Sequence, residues 1–146
     1  MSIEDKQKAI ERSKQFHDEN SNVITFSANI TRAVIFPADW HRHLEYKTRE
    51  FDDRDNPGEK RTVTYTIYKV WNPNAQDAKT LRKISASSAL NDEISKFLDM
   101  ANNKGWNGAC MARITKMQKG NSTFSSWSVL GEECTEEQLR ELRIIE

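Results

Sequence analysis

A single apolar stripe at helical spacing, set inside a chain that otherwise alternates, limits what this sequence can fold into. Leu90, Ile94, Phe97, Leu98 and Ala101 recur at intervals of 4, 3, 1 and 3, which is one face of an α-helix. Ser87 or Ser88 stands where a cap is wanted, Asp92 and Glu93 follow near the start, and Lys104 with Gly105 marks the stop. On both sides of this helix the apolar period is two. Ile24, Phe26, Ala28 and Ile30 alternate with Thr25, Ser27 and Asn29, and an apolar run over residues 33–36 ends at Pro37. A second extended stretch, residues 41–51, puts Leu44, Tyr46 and Thr48 on one face. Residues 61–71 form the strongest strand, with Val63, Tyr65, Ile67 and Trp71 on the face read as core and Thr62, Thr64, Thr66 and Tyr68 on the other. The loop 52–59, with Asn56-Pro57-Gly58 inside it, turns these two into a hairpin.

A loop opened by Asn72-Pro73 leads to a short strand over 79–85. Beyond the helix, strands over 109–117 and 123–130 flank a Lys119-Gly120-Asn121-Ser122 turn. Thr135 and Gln138 make a capping box for a last short helix carrying Leu139 and Leu142. At the other end, residues 2–19 read as a helix with a narrow seam of Ile3, Ala9, Ile10 and Phe16, suited to docking on a surface or pairing with a copy of itself. The order α–β–β–β–β–α–β–β–α implies an α+β fold: an antiparallel five- to six-stranded sheet, or a small OB-like barrel, with one inserted helix and helical termini. The expected division is an N-terminal helix (1–22), an OB-like β-rich domain (23–131) and an acidic C-terminal helix or tail (132–146).

The 146 residues suit one core of modest size. No run approaches the ~18 apolar residues of a membrane span, and the charged N-terminus lacks a signal-peptide core. Cys110 and Cys134 make no disulfide framework and read as reduced thiols, so a cytoplasmic protein without membrane contact is expected. Net charge is zero, but it is unevenly spread. Residues 1–59 hold 9 basic and 12 acidic side chains, residues 60–119 hold 11 and 4, and residues 120–146 hold 2 and 6. A basic middle between acidic ends signals a charged partner.

The basic and aromatic residues interleave on the expected strands. Trp40, Tyr46, Tyr65, Tyr68, Trp71 and Trp127 lie beside Arg42, Lys47, Arg49, Arg61, Lys69, Lys83, Arg113, Lys116 and Lys119. Single-stranded nucleic acid needs this mixture, because bases stack on π-faces while cations track the phosphates. A competing constellation is His41-Arg42-His43-Leu44-Glu45. On a strand, His41, His43 and Glu45 would project from one face, and two imidazoles with a carboxylate can hold zinc or iron. That would make a small metal-dependent, cupin-like enzyme. The only other histidine is His17, so no bound metal and no cofactor is expected. A third reading is an assembly protein that oligomerises through the N-terminal helix. No G-x-S-x-G, CxxC or glycine-rich phosphate loop occurs, and the expectation is a non-enzymatic protein.

The segment from Tyr65 through Gly131 carries a resemblance. A strand over 64–71 leads to Lys79-Thr80-Leu81-Arg82-Lys83-Ile84-Ser85, then the Ser-capped helix, Gly108, Arg113-Ile114-Thr115-Lys116, a Gly turn and Thr123-Phe124-Ser125-Ser126-Trp127-Ser128-Val129. This resembles the C-terminal part of small phage and archaeal single-stranded DNA-binding proteins with OB-like folds. Trp127 stands where that pattern often has Tyr, the turn 117–122 is longer than usual, and the expected Gly-rich first hairpin is missing from 23–51. The resemblance implies sequence-tolerant binding of single-stranded DNA in replication, in a host cytoplasm if the protein is viral. It places Arg113, Lys116 and Lys119 on phosphates and Tyr68, Trp71 and an aromatic near Trp40 against bases. With the interleaved residues Trp40, Arg42, Tyr46, Arg49 and Lys83, these make the expected binding face. The resemblance also makes the acidic end, 132–146, a candidate recruiter of a replication protein. The narrow seam of the N-terminal helix makes that helix a candidate homodimer contact.

Overall fold

The computed structural model describes residues 3–8, 22–120 and 125–146. Residues 3–8 are helical (α1) and exposed; Ala9, Ile10, Phe16 and His17 of the expected helix, and Asn121 to Phe124 of the last hairpin, lie outside the described residues. The chain continues as β1 (Thr31–Phe36), a 3-10 turn (Trp40–His43), β2 (Glu45–Asp52), β3 (Lys60–Val70), β4 (Arg82–Ala86), α2 (Ser88–Asn103), β5 (Cys110–Gln118), β6 (Ser125–Glu133) and α3 (Glu136–Glu141). The class is α+β. The six strands form two antiparallel sheets of three, ordered β2-β3-β4 and β1-β5-β6. Among the described residues they do not close into a barrel. The sheets meet where Ile35 and Trp71 exchange two N–H···O bonds of 2.9 Å.

The helical stripe does what its spacing requires. Leu90, Ile94, Phe97, Leu98 and Ala101 are all buried on α2, against Val34 and Phe36 of β1, Tyr68 and Val70 of β3, Ile84 and Ala86 of β4, and Ala112 and Ile114 of β5. One core therefore lies between α2 and the inner faces of both sheets. Ser87 is the N-cap residue, but its side chain makes no capping bond; Asp92 and Glu93 fall beyond the first turn. The C-terminus closes on Gly105 at φ +77°, with Trp106 N–H donating to the Ala101 carbonyl, a left-handed stop that glycine adopts without strain.

A second, smaller cluster lies on the outer side of the β1-β5-β6 sheet. Ile35, Ala109, Cys134 and Leu139 are buried there, with Trp71, Met111, Leu142, Ile144 and Ile145 against them. The C-terminal segment is thus packed on the sheet. The capping box forms as expected: Gln138 N–H donates to Thr135 Oγ1 at 3.2 Å, and Thr135 N–H to Gln138 Oε1 at 2.8 Å.

Three expectations are corrected. Residues 23–30 are not a strand. Val23 and Ala28 make only isolated bridges to Lys83 and Lys116, because Asn29 turns the chain at φ +63°. Its side-chain amide then pairs with both backbone groups of Gln118, at 3.0 and 3.1 Å, so a local turn replaces the ladder. Residues 41–43 are not extended either, since the 3-10 turn occupies 40–43. Finally, the faces of β3 are inverted. Tyr68 and Val70 are buried, while Val63, Tyr65 and Ile67 point outward.

Candidate nucleic-acid interface

Register fixes which side chains share a face. Glu45, Lys47, Arg49 and Phe51 of β2 stand opposite Ile67, Tyr65, Val63 and Arg61 of β3. Ile67 and Lys69 in turn stand opposite Ser85 and Lys83 of β4. Opposed residues in an antiparallel pair project to the same side. The outer face of this sheet therefore carries five cations, Lys47, Arg49, Arg61, Lys69 and Lys83, and one carboxylate, Glu45. The remaining acids of β2, Glu50 and Asp52, lie on the opposite face, where Lys60 approaches Glu50 at 3.8 Å. Charge is segregated by strand parity.

The face is open. Every residue of β2 is exposed, as are Arg61 and Lys83. Tyr65 lies half-buried in the middle, with the Arg49 guanidinium 5.8 Å from its ring centroid, a cation–π contact that braces the ring against the strand. Glu45 Oε1 is 3.0 Å from Lys69 Nζ and its Oε2 is 3.8 Å from Lys83 Nζ. The hydrogen bond from Lys69, followed by the charges of Lys69 and Lys83, holds the Glu45 carboxyl below the usual carboxylate range.

Of the residues singled out from sequence, Arg49 and Lys83 lie on this face. Tyr46 is 69 % exposed but projects from the opposite side of β2, beside Thr66. Tyr68 is 4 % exposed; its hydroxyl donates to Asn91 Oδ1, its ring meets Phe36 edge-on at 5.8 Å, and burial pushes its phenol pKa up. No base can reach it, which corrects the stacking role expected of it. Trp71 shares the outer side but is half-buried in the C-terminal cluster. Trp40 packs on the inner core, 6.2 Å from the Tyr68 ring, and Arg42 is exposed on the 3-10 turn.

The three cations expected on phosphates lie at the other sheet. Arg113 Nη1 and Nη2 donate to the two Glu132 carboxylate oxygens at 2.8 Å, which lowers the Glu132 pKa and raises that of Arg113. Lys116 lies 5.9 Å over the Trp127 ring on the inner side, and Lys119 is exposed beyond the end of β5. The three do not converge on one surface.

The histidine constellation also comes apart. The 3-10 turn rotates His41 and His43 away from the alternation of β2, His43 Nε2 pairs with Asp39 Oδ2 at 3.2 Å, and Glu45 is engaged by two lysines. Among the described residues no three His, Cys, Asp or Glu side chains group as a metal site requires. From sequence, Lys47, Arg61, Lys69 and Tyr65 are only members of a basic and aromatic mixture. The signal that singles them out is parity: Lys47, Arg49, Arg61 and Lys69 all carry odd numbers on the two arms of one hairpin.

Compared with family models, curated proteins and solved structures, the chain matches none of them.

Proposed function

We propose that this protein binds single-stranded nucleic acid, DNA in the first instance, along the outer face of the β2-β3-β4 sheet. The observation that carries the reading is five cations around a half-buried tyrosine with a single carboxylate among them. Phosphates need cations within reach, and a base needs a π-face. Strand side chains alternate about 7 Å apart along one face, close to the spacing of successive phosphates in an extended strand. Tyr65 supplies the stacking surface, and Arg49, Lys47 and Arg61 flank it. The resemblance to small OB-like single-stranded DNA-binding proteins agrees with the activity, although it places the phosphate contacts on Arg113, Lys116 and Lys119 and the stacking on Tyr68, Trp71 and an aromatic near Trp40.

The test is titration of a labelled oligo(dT) over a series of salt concentrations. Binding is expected to weaken steeply with salt. Arg49→Ala with Arg61→Ala should flatten the plot of log K against log salt by up to about two. Tyr65→Leu should weaken binding by ~1–3 kcal/mol with the slope unchanged. Binding that ignores both changes would place the contacts elsewhere.

A further inference from the structure

We infer that Lys69 and Lys83 form a phosphate-oxyanion subsite on this face, and that the Glu45 carboxylate occupies it as an internal competitor. The inference deepens the nucleic-acid reading above and rests on it.

Lys69 and Lys83 are directly opposed across β3 and β4. Like charges in that position repel, and the pair is tolerable when an anion lies against both. Glu45 supplies that anion from the neighbouring strand, one oxygen to each lysine, at 3.0 and 3.8 Å. A phosphodiester presents the same pair of terminal oxygens with the same charge, so it fits where the carboxylate is. Glu45 is also removable. Its side chain is 46 % exposed, and exposed ion pairs are weak and screened by salt. It reaches its partners diagonally across Ile67, and rotation about its side-chain bonds carries the carboxylate into water without moving backbone.

The consequence is selectivity by length. A lone phosphate must displace Glu45 for one contact. An extended strand that already meets Lys47, Arg49 and Arg61 gains those contacts as well, so displacement is a small part of its binding. Glu45 therefore discriminates against free nucleotides and for polyanions.

The experiment compares the full chain with its Glu45→Gln variant, which keeps size and hydrogen-bonding capacity but loses the charge. Oligo(dT) affinity at low salt should rise by about an order of magnitude, and the salt slope should steepen by up to about two, one for each released lysine. Glu45→Asp, whose shorter arm does not span both amines, should fall between. Adding Lys83→Ala to Glu45→Gln should remove most of the gain. Pyrophosphate is titrated in parallel, and Glu45→Gln should bind it more tightly than the parent. If oligo(dT) binds parent and Glu45→Gln alike, with equal slopes, the competitor role is wrong while the interface stands. If neither binds oligo(dT) but Glu45→Gln gains pyrophosphate, the oxyanion subsite stands and the nucleic-acid reading falls. If neither chain binds oligo(dT) and Glu45→Gln gains no pyrophosphate affinity, both are wrong.

Discussion

Gly131 of β6 stands opposite Ala112 of β5. A Cβ built there would stand 1.9 Å from the Met111 carbonyl oxygen and 2.9 Å from Ala112 Cα. Both are backbone atoms, so the strands themselves must part. Gly131→Ala is expected to destabilise the fold by roughly 1–3 kcal/mol, the range for forced overpacking, read as a lowered midpoint in urea denaturation with an unchanged slope. Gly58, with nothing near its Cβ position, differs in kind: its restriction is φ +91° alone. Trp71 is a second residue whose role is set by its neighbours. Its backbone joins the two sheets and its ring lies against the Ile35 cluster. Trp71→Ala should destabilise the fold by less than the ~3–5 kcal/mol of a fully buried aromatic, read as a lowered melting temperature, and leave oligonucleotide affinity nearly intact in the folded fraction. Lost affinity at an unchanged melting temperature would return Trp71 to the stacking surface.

At the scale of elements, α3 is too short to persist alone and is held by its cap and its cluster. Thr135→Ala removes the acceptor for Gln138 N–H and should cost about 1 kcal/mol, with faster amide exchange over the C-terminal segment as the local measurement. The β5-β6 ladder carries the Arg113–Glu132 pair. Because Glu132 titrates below its unfolded value, its contribution is present above the ordinary glutamate range. It is lost as pH falls through the lower, folded pKa. The melting-temperature difference between the parent and Glu132→Gln should therefore narrow as the solution is acidified below that range. A difference independent of pH would mean the pair contributes nothing through charge. The β2-β3 hairpin is the third element of note, an exposed arm whose two faces differ in charge. Lysine and arginine along such an arm also discourage edge-to-edge pairing.

The whole molecule distributes its reactive groups in a readable way. Cys110 and Cys134 belong to different clusters, and burial pushes both thiols up. At neutral pH they should react slowly with a thiol reagent such as DTNB in the folded protein and quickly once it is unfolded; rapid labelling of the native chain would show that one cluster opens. The cations are distributed just as unevenly. Lys116→Ala with Lys119→Ala should leave the salt slope of oligonucleotide binding unchanged, because these side chains lie away from the β2-β3-β4 face. A slope flattened by that pair would move the interface to β5.

The α+β class, the α2 stripe, the hairpin around 52–59 and the α3 capping box are all legible in the sequence, since each depends on neighbours within a few positions. Periodicity and cap chemistry are local. The sequence also contained the basic excess of residues 60–119, but not its direction. On β3 both parities carry large apolar or aromatic residues, Val63, Tyr65 and Ile67 against Tyr68 and Val70, so alternation alone could not choose the buried side. The choice falls to β4 and α2. Ile84 and Ala86 stand beside Tyr68 and Thr66 in register, Asn91 of α2 accepts the Tyr68 hydroxyl, and one slip of parity sends every side chain to the other face. That decision, made by elements as far as 23 residues along the chain, puts Lys47, Arg49, Arg61, Lys69 and Tyr65 on one outer face and buries the tyrosine that the sequence alone offered for stacking. The histidines followed the same rule: only the short 3-10 turn, wound between Pro37 and the start of β2, takes His41 and His43 off the strand that would have aligned them with Glu45.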